Sequence, residues 1–451
     1  MMNIRVILLF ILTIPLSVYG QLGIWTSAEE LAEKPMSGLP WDELLSAADG
    51  VNPNYATVSD QNSNNNVGIL AAAIVYARTG EVSYKDKVIA ACDKLVSEGH
   101  PADRTLAWAR ETGAYALAAD LVEYRPNELK VWLRAMAEAY VADDDRTMIY
   151  MFHLRPNNWG TMGFGSLCAI YAFLNDTTSL NQVRNYWIQS VTGPKPELLT
   201  YGSDISWHID PENLRLINPK GSVKSGLNID GIIPDDMRRG TSFSNPPVHT
   251  GYAWETLQGL VTGARILDRF GMPIWTVSDS ALKRAIHVIQ VDWENKFGGW
   301  KAGGDDLWML PFIDDVYGTD YSDIHHEFTW GHGKISGWPY VIWDGIQTQI
   351  SEMNSAIIPK YMTLNQNYPN PFNPSTVISY TLTMREHVKL NIFDITGKKV
   401  ASLADEIQDA GKKEYIWYAT LDNGYSLPSG IYFCTLKVGP RTETIKMLYL
   451  R

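Results

Sequence analysis

The spacing of hydrophobic residues divides the chain into a long first part and a short second part. Through most of residues 67–293, apolar side chains recur every three or four positions, which predicts α-helices. The first two helical segments stop at Gly80 and Gly99, and glycine is the residue that most often ends a helix. The predicted helical segments are residues 67–80, 84–99, 104–122, 127–142, 161–176, 180–192, 251–270 and 278–293.

Two stretches of this first part lack the helical period. Residues 201–230 and 298–338 are long, polar and rich in aromatic side chains. Repeated apolar helices with short connections at one end and long loops at the other are typical of an (α/α) toroid, an incomplete barrel whose long loops form a cleft. A conventional helical bundle does not require such long loops and is therefore the less favoured alternative. The pattern predicts a mainly α chain with the toroid domain over residues 21–357.

Near residue 358 the pattern changes from helical to strand-like. Prolines and asparagines come first, and the following segments alternate apolar and polar residues with turn residues between them. This pattern predicts a small all-β sandwich domain over residues 358–451.

Three motifs in this β domain carry a family resemblance. They are NYPNPFNP at residues 367–374, FDITG at 393–397 and SGIY at 429–432. Together they resemble the C-terminal sorting domain of the type IX secretion system of Bacteroidetes-like bacteria. The resemblance implies passage through the periplasm and across the outer membrane by the type IX secretion machinery, followed by removal of the domain. The alternative is a carbohydrate-binding or adhesive β domain.

Residues 1–20 have the features of a secretory signal peptide. Arg5 precedes an apolar run at residues 6–14, and Val18 and Gly20 occupy the positions that a signal peptidase reads. The apolar run is too short for a membrane anchor, and nothing else in the sequence could span a bilayer. We therefore expect a secreted or cell-surface protein with no stable membrane span.

The net charge of −12 limits the partners of the chain. It argues against nucleic acid, and it would repel an acidic polysaccharide at long range. An acidic substrate therefore needs a locally basic cleft. The 16 tryptophans and 23 tyrosines fit such a cleft because flat aromatic rings stack on sugars, although core packing is the expected role of most of them.

Cysteine and histidine spacing gives no sign of a disulfide framework or a metal site. The three cysteines lie far apart in apolar stretches, which predicts buried free thiols; they are Cys92, Cys168 and Cys434. One histidine-rich loop lacks the ligand spacing of a metal site and is interpreted as an exposed polar loop; it contains His325, His326, Glu327 and His332. We expect no metal, no cofactor and a monomeric chain.

Two polar stretches, residues 155–160 and 230–260, have the residue types that β-elimination on a 4-linked uronate chain requires. The reaction removes the weakly acidic C5 proton, which becomes feasible when the neighbouring carboxylate is neutralised, and then protonates the departing O4. Side-chain amides, Arg and His can neutralise the carboxylate, and Tyr or His can act as base and acid. A tyrosine has an ordinary pKa of about 10, so as a base it needs positive charge nearby.

Each candidate catalytic residue also has a purely structural interpretation. Asn158, next to Asn157, is the candidate that neutralises the carboxylate, yet two asparagines after a proline also suit a turn and a helix cap. Arg238 and Arg239 follow two aspartates, and a local salt bridge is the alternative for them.

His249 and Tyr252 are three residues apart. With a helix that begins near Pro247, the two side chains would share one helix face. A tyrosine packed in the core is the alternative for Tyr252.

These stretches contain three motifs, Asn157-Asn158-Trp159-Gly160, GIIPDDMRR at residues 231–239 and GYAWE at 251–255, with further matches at 304–308, 317–319 and 333–338. As a set they resemble the alginate-lyase domain superfamily of toroidal polysaccharide lyases, over residues 102–343, and most of all its Asn-Asn-Trp-Gly branch, which acts on alginate or glucuronan. The resemblance implies that Asn158 neutralises the carboxylate, that Tyr252 is the catalytic acid and base, and that Arg238 or Arg239 supports the charge.

One position departs from the best-known toroidal alginate lyases, because Trp159 stands where they have a histidine. In this respect the chain is similar to the chondroitin and hyaluronan lyases, which have Asn-Asn-Trp and a nearby tyrosine. The base is then His249, His208 or Tyr252 itself, and Trp159 is suited to stacking on a sugar. The residues predicted to bind substrate are Asn157, Trp159, His208, Trp254, Tyr201, Arg110 and Lys334.

Two other functions compete with the lyase. A toroidal glycoside hydrolase needs two carboxylates beside the glycosidic bond, and the candidates are Asp230, Asp236, Glu255 and the pair Asp305 and Asp306. A non-catalytic polysaccharide-binding protein would hold the chain with cleft aromatics and leave it intact.

Overall fold

A computed structural model describes residues 23–100, 105–139, 147–324, 336–343, 362–382, 386–395, 397–409, 411–420, 427–438 and 441–450. Its contacts separate the chain into two compact units, residues 1–345 and 346–451. The predicted signal peptide and the predicted domain boundary at residues 357 and 358 lie outside the described residues.

The first unit is helical, as the sequence pattern predicted, and its helices follow one another along the chain with few strands between them. They are α1 (Ala28–Ala32), α2 (Leu39–Gly50), α3 (Asn65–Thr79), α4 (Val82–Glu98), α5 (Thr105–Leu121), α6 (Asn127–Glu138), α7 (Met148–Leu154), α8 (Asn158–Phe173), α9 (Thr177–Thr192), α10 (Pro234–Met237), α11 (Tyr252–Arg269), α12 (Val277–His287), α13 (Glu294–Phe297) and α14 (Leu310–Tyr317). A two-residue hairpin, β1 (Val223–Lys224) and β2 (Leu227–Asn228), interrupts the long loop before α10.

Four long helices, α3, α5, α8 and α11, form the centre of this unit, because they are buried on nearly every side. Helices α8 and α11 are parallel: Asn158 contacts Glu255 near their first turns, and a Cβ on Gly259 would lie 2.1 Å from the carbonyl oxygen of Thr161. Because Gly259 has no side chain, the two backbones approach closely and bring the first turns of both helices together.

The surrounding helices bury one face each. In α4, α6 and α9 the buried residues recur every three or four positions, which is the period that the sequence shows. Helices α3 and α4 end at Gly80 and Gly99, both with a positive φ, as predicted from the glycines. A closed toroid of these helices stays a prediction.

The second unit is a small, all-antiparallel β domain, which confirms the predicted change in secondary structure. Its strands are β3 (Met362–Leu364), β4 (Thr376–Leu382), β5 (Glu386–Asp394), β6 (Lys399–Gln408), β7 (Gly411–Trp417), β8 (Gly430–Val438) and β9 (Arg441–Tyr449). They form a three-stranded sheet in the order β3-β4-β7 and a four-stranded sheet in the order β6-β5-β8-β9, and inward side chains of both sheets share one hydrophobic core.

The proline-rich motif at the start of the β domain ties its first segment to the last strand. Phe372 is buried against Tyr449, and its backbone N–H donates to the carbonyl oxygen of Leu448. The buried amide of Asn367 donates to the carbonyl oxygen of Pro369 and to the hydroxyl of Thr376. The motif that carries the sorting-domain resemblance is therefore part of this unit's folded core.

The three cysteines are buried free thiols, as predicted. Among the helices that the structure describes, none combines the length and the apolar character needed to cross a bilayer. Within the same residues no group of three or more His, Cys, Asp or Glu side chains could hold a metal ion.

Candidate functional site

The first turns of α8 and α11 form a polar cluster with α5 and the segment after α10. Asn157 caps α8, because its side-chain oxygen accepts a hydrogen bond from the N–H of Trp159, and α8 begins at Asn158. This is the structural role that the sequence suggested for one of the two asparagines. Capping leaves the amide of Asn158 pointing toward α11 and Arg239.

Asn158 is the centre of this cluster and is 1% exposed. Its Nδ2 donates to Glu255 over 2.9 Å, and its Oδ1 accepts from Nη1 of Arg239 over 2.6 Å. Its backbone N–H donates to Asp236 over 3.4 Å. These contacts fix which end of the amide faces each partner.

Glu255 joins the cluster to helix α5 through an ion pair with Arg110. The Arg110 side chain is 9% exposed and that of Glu255 is 28% exposed. Arg110 was predicted to bind substrate, whereas Glu255 was predicted only as a possible hydrolase carboxylate. The sequence alone gives little indication that Arg110 and Glu255 form a pair. The available indication is that an arginine within the largely apolar helix α5 needs an anionic partner.

Arg239 also covers the ring of Tyr252. Its guanidinium carbon lies 3.3 Å from the centroid of that ring, which is a cation–π contact. The Arg239 side chain is 25% exposed and Tyr252 is half-buried, so both reach solvent at the surface of the cluster. The predicted group of Asn158, Arg239 and Tyr252 is therefore brought together.

Asp236 lies beneath the cluster with no solvent exposure. Burial raises the pKa of its carboxyl to about 8, and the negative charge of Asp235 acts in the same direction. The hydroxyl of Thr256 donates to it, and Arg239 is 3.9 Å away; both act to lower the pKa. Near neutral pH the carboxyl is thus protonated in the folded protein.

Arg238 faces a different part of the loop from Arg239. It holds Asp235 in a forked ion pair, with Nε at 2.6 Å and Nη2 at 3.1 Å from the two carboxylate oxygens. The same carboxylate accepts from the amide of Asn157 and from the N–H of Gly202. The local salt bridge that the sequence suggested is present for Arg238.

The prediction that His249 and Tyr252 share a helix face is wrong. Helix α11 begins at Tyr252, with Gly251 as its cap residue, so His249 lies in the preceding loop. At the helix start the hydroxyl of Thr250 accepts a hydrogen bond from the N–H of Tyr252. His249 is exposed, and its ring centroid is 5.1 Å from that of Trp300.

His208 and Tyr201 pack against each other in the long loop, with ring centroids 4.7 Å apart. His208 is 3% exposed, and burial lowers its pKa to about 4, although the charge of Asp235 acts in the opposite direction. Burial raises the pKa of Tyr201 well above its ordinary value. The imidazole of His208 is thus neutral at physiological pH.

The two tryptophans predicted to bind substrate lie in different surroundings. Trp159 is half-buried and lies beneath the guanidinium of Arg155, whose carbon is 4.5 Å from the ring centroid. Trp254 is 3% exposed, and its indole N–H donates to the carbonyl oxygen of Trp300, so it is a core residue. Lys334 and the histidine-rich loop at residues 325–332 lie outside the described residues.

One family model matches the chain, over residues 366–449, and its description is a secretion system C-terminal sorting domain. This match confirms the resemblance of the β domain and supports export to the cell surface or the medium. A comparison with curated proteins found no match.

Three solved structures that are similar to the chain have low TM-scores. Dimeric latent PorU of Porphyromonas gingivalis matches at 20% identity over 20% of this chain and 9% of its own, with a TM-score of 0.17. PorZ, a type IX secretion surface component of the same species, matches at 20% identity over 20% and 11%, with a TM-score of 0.16. The DNA glycosylase AlkC of Pseudomonas fluorescens matches at 12% identity over 91% and 97%, with a TM-score of 0.17.

The chain spans about a tenth of the length of PorU and of PorZ. At these TM-scores none of the three structures bears on the fold or function of the helical unit.

Proposed function

We propose that the helical unit is a secreted polysaccharide lyase that cleaves a 4-linked uronate polysaccharide, alginate or glucuronan, by β-elimination. The observation that carries the proposal is the placement of Arg239 on both Asn158 and the ring of Tyr252. A cation, an amide and a phenol at one partly exposed surface are the groups that this reaction requires.

Arg239 and Asn158 differ in solvent exposure, and we therefore assign them different roles. Asn158 is 1% exposed and the Arg239 side chain 25%, so the arginine is the group that a substrate carboxylate can reach. We assign neutralisation of the carboxylate to the N–H groups of Arg239, and we assign to Asn158 the task of holding that guanidinium in place. Neutralisation makes the C5 proton more acidic because negative charge moves onto the carboxylate as the proton leaves.

Tyr252 is assigned as base and then as acid. Its oxygen takes the C5 proton, the C5–H electron pair forms the C4–C5 double bond, and the C4–O4 bond breaks. The same oxygen then returns the proton to O4. Tyr252 therefore starts as the phenolate, is the neutral phenol between the two steps, and is the phenolate again once O4 is protonated. The guanidinium of Arg239 lies on the face of the ring that carries this negative charge at the start and the end.

The other two predicted bases differ in access to substrate. His208 is 3% exposed in the loop core, whereas His249 is exposed three residues before Tyr252. His249 is therefore the second candidate for the base.

Of the five carboxylates named for the competing hydrolase, three are paired or fully buried, and a fourth, Asp306, accepts a hydrogen bond from Gln258. Asp230 pairs with Arg284, Glu255 pairs with Arg110, and Asp236 has no solvent exposure. A hydrolase needs one carboxylic acid and one carboxylate that both reach the glycosidic bond. This arrangement favours the lyase over the hydrolase, and we further propose that the helices close into the (α/α) toroid of such lyases.

The test is ultraviolet-monitored digestion of polymannuronate, polyguluronate, glucuronan, hyaluronan and ulvan by the full-length chain. We expect at least one of these polymers to yield products that absorb through a C4–C5 double bond. Tyr252→Phe keeps the ring under Arg239 and removes the hydroxyl, so we expect the rate to fall by at least about 100-fold while polymer binding persists.

Two arginine variants provide a matched comparison. Arg239→Lys keeps the charge but loses the hydrogen-bonding fork, and we expect its rate to fall about tenfold or more. Arg134→Lys changes an arginine of α6 that lies outside the cluster and is 39% exposed, and its rate should stay within about threefold of wild type. Products without the double bond, or full activity of Tyr252→Phe, would contradict the proposal.

A further inference from the structure

A second candidate site lies in the helical unit at the junction of α2 and α3. A cavity of about 380 Å³ opens there, within the range of about 300–1,000 Å³ that is usual for small-molecule sites. Its lining residues include Ser46, Gly50, Asn52, Tyr55, Asn64 and Asn65. None of these residues belongs to the cluster around Asn158, so the cavity is a separate feature.

The lining combines an aromatic ring with amides and a hydroxyl. Tyr55 is 72% exposed, which is a large exposed area for an aromatic side chain. Among the described residues that line the cavity, none is charged. An exposed ring beside uncharged hydrogen-bonding groups matches a pyranose, which has an apolar face and a rim of hydroxyls.

Asn65 provides a second, independent observation. Its Nδ2 donates to the carbonyl oxygen of Asn52, but in the part of the chain that the structure describes its Oδ1 is shielded from water and has no hydrogen-bond partner. An acceptor left in this state costs about 1–3 kcal/mol. Because this oxygen is shielded from the adjoining cavity as well, a ligand hydroxyl can supply the missing hydrogen bond only when the Asn65 side chain turns toward the cavity.

We infer that this cavity binds one sugar unit of a polysaccharide, with the ring stacked on Tyr55 and its hydroxyls bonded to the asparagine amides. Because the described lining carries no charged side chain, recognition depends on the ring and its hydroxyls, which a uronate unit shares with the corresponding neutral sugar. The inference rests on the proposed function only for the source of the sugar, which would be the substrate chain held away from the catalytic residues.

The test is calorimetric titration of the full-length chain with neutral hexasaccharides of β-1,4-linked mannose, glucose and xylose. These probes lack the carboxylate that Arg239 is proposed to bind, so they report on the cavity alone. We expect one of them to bind, and we expect Tyr55→Ala to weaken that binding about tenfold, because aromatic stacking is lost.

Two further variants make the result specific. Gly50 lines the cavity, and a Cβ there would meet no other atom within 4 Å, so we expect the ring of Gly50→Phe to occupy the cavity and to abolish binding. Tyr418 is an exposed tyrosine in the β domain, and Tyr418→Ala should bind as wild type does. Unchanged binding in Tyr55→Ala and Gly50→Phe, or no binding of any hexasaccharide to wild type, overturns the inference.

Uronate hexasaccharides form the second arm of the experiment and separate this inference from the lyase proposal. Binding through Tyr55 without any unsaturated product would refute the lyase and support the cavity. Unsaturated product from a protein whose Tyr55→Ala variant binds every probe normally would support the lyase and refute the cavity. A cavity that takes peptides but no hexasaccharide would also refute it.

Discussion

Asn158 contacts three ionisable residues from outside its own helix: its side-chain amide contacts Arg239 and Glu255, and its backbone N–H contacts Asp236. A buried amide with this many partners is held in one orientation, because each hydrogen bond requires a specific donor or acceptor. The consequence is a fixed position for Arg239, whose guanidinium then covers Tyr252. At the scale of single residues, the candidate site is one buried amide that positions one partly exposed cation.

Asp236 gives a prediction about pH and stability at the same scale. Its pKa is raised from 3.8 to about 8 by burial. Between these pH values the folded state holds a proton that the unfolded state has released, so stability falls as pH rises, by up to about 1.4 kcal/mol per pH unit. Asp236→Asn removes this titration and keeps the shape of the side chain.

We therefore expect Asp236→Asn to gain stability relative to wild type as the pH increases from 5 to 8. The measurement is denaturant unfolding at each pH, with Asp86→Asn, a change at an exposed position of α4, as the control. A difference between Asp236→Asn and wild type that is the same at every pH would show that the buried carboxyl is already ionised in the folded protein.

At the scale of elements, the close contact between α8 and α11 decides whether the site exists. Two glycines of α11 face α8: Gly259 lies against Thr161, and a Cβ on Gly263 would be 2.2 Å from the ring of Phe164. Closer packing of the two backbones brings Asn158 within hydrogen-bonding distance of Glu255. The glycines thus serve the site although neither belongs to it.

Gly259→Ala tests this contact. Alanine normally stabilises a helix by about 1 kcal/mol relative to glycine, but here its Cβ would stand 2.1 Å from the carbonyl oxygen of Thr161. We expect a net loss of about 1–3 kcal/mol in the free energy of unfolding, because the two helices must separate. Activity on the best substrate should fall as well, since the separation moves Asn158 away from Glu255.

Gly50→Ala is the matched control, because Gly50 ends α2 and a Cβ there would meet no atom within 4 Å. Its free energy of unfolding should equal or slightly exceed that of wild type. Equal stability of Gly259→Ala and wild type would show that the α8–α11 contact tolerates a side chain.

At the scale of the whole molecule, the chain combines a helical unit with a β domain that matches a secretion sorting domain. The match supports export, and a net charge of −12 means that an acidic polymer is attracted only where cations such as the partly exposed Arg239 reach solvent. Export from the cell and a local positive charge are both properties that an extracellular enzyme acting on acidic polysaccharides would need.

Deleting residues 358–451 tests the sorting role. We expect the shortened protein to stay in the periplasm, whereas the full-length chain reaches the cell surface or the medium, because the segment that the secretion machinery reads is missing. Immunodetection in separated periplasmic, outer-membrane and medium fractions of a host with type IX secretion measures this. Appearance of the shortened protein in the medium at the wild-type level would contradict a sorting function.

The sequence by itself determined the features that depend on neighbouring residues. The helical period, the helix ends at Gly80 and Gly99, the cap at Asn157 and the change to strands in the second unit all follow from local backbone preferences and side-chain spacing. The sorting motif belongs to the same class, since its residues lie close together in the chain.

Only the tertiary structure decided which residues meet. Arg110 and Glu255 are 145 positions apart, and Arg239 and Asn158 are 81 apart, so their contacts depend on helix packing that no local pattern encodes. The same packing gave the adjacent arginines Arg238 and Arg239 different partners. It also buried His208 in the long loop and left His249 outside α11, which begins at Tyr252. The physical reason is that burial and partner choice are set by the whole fold, whereas period and capping are set within a few residues.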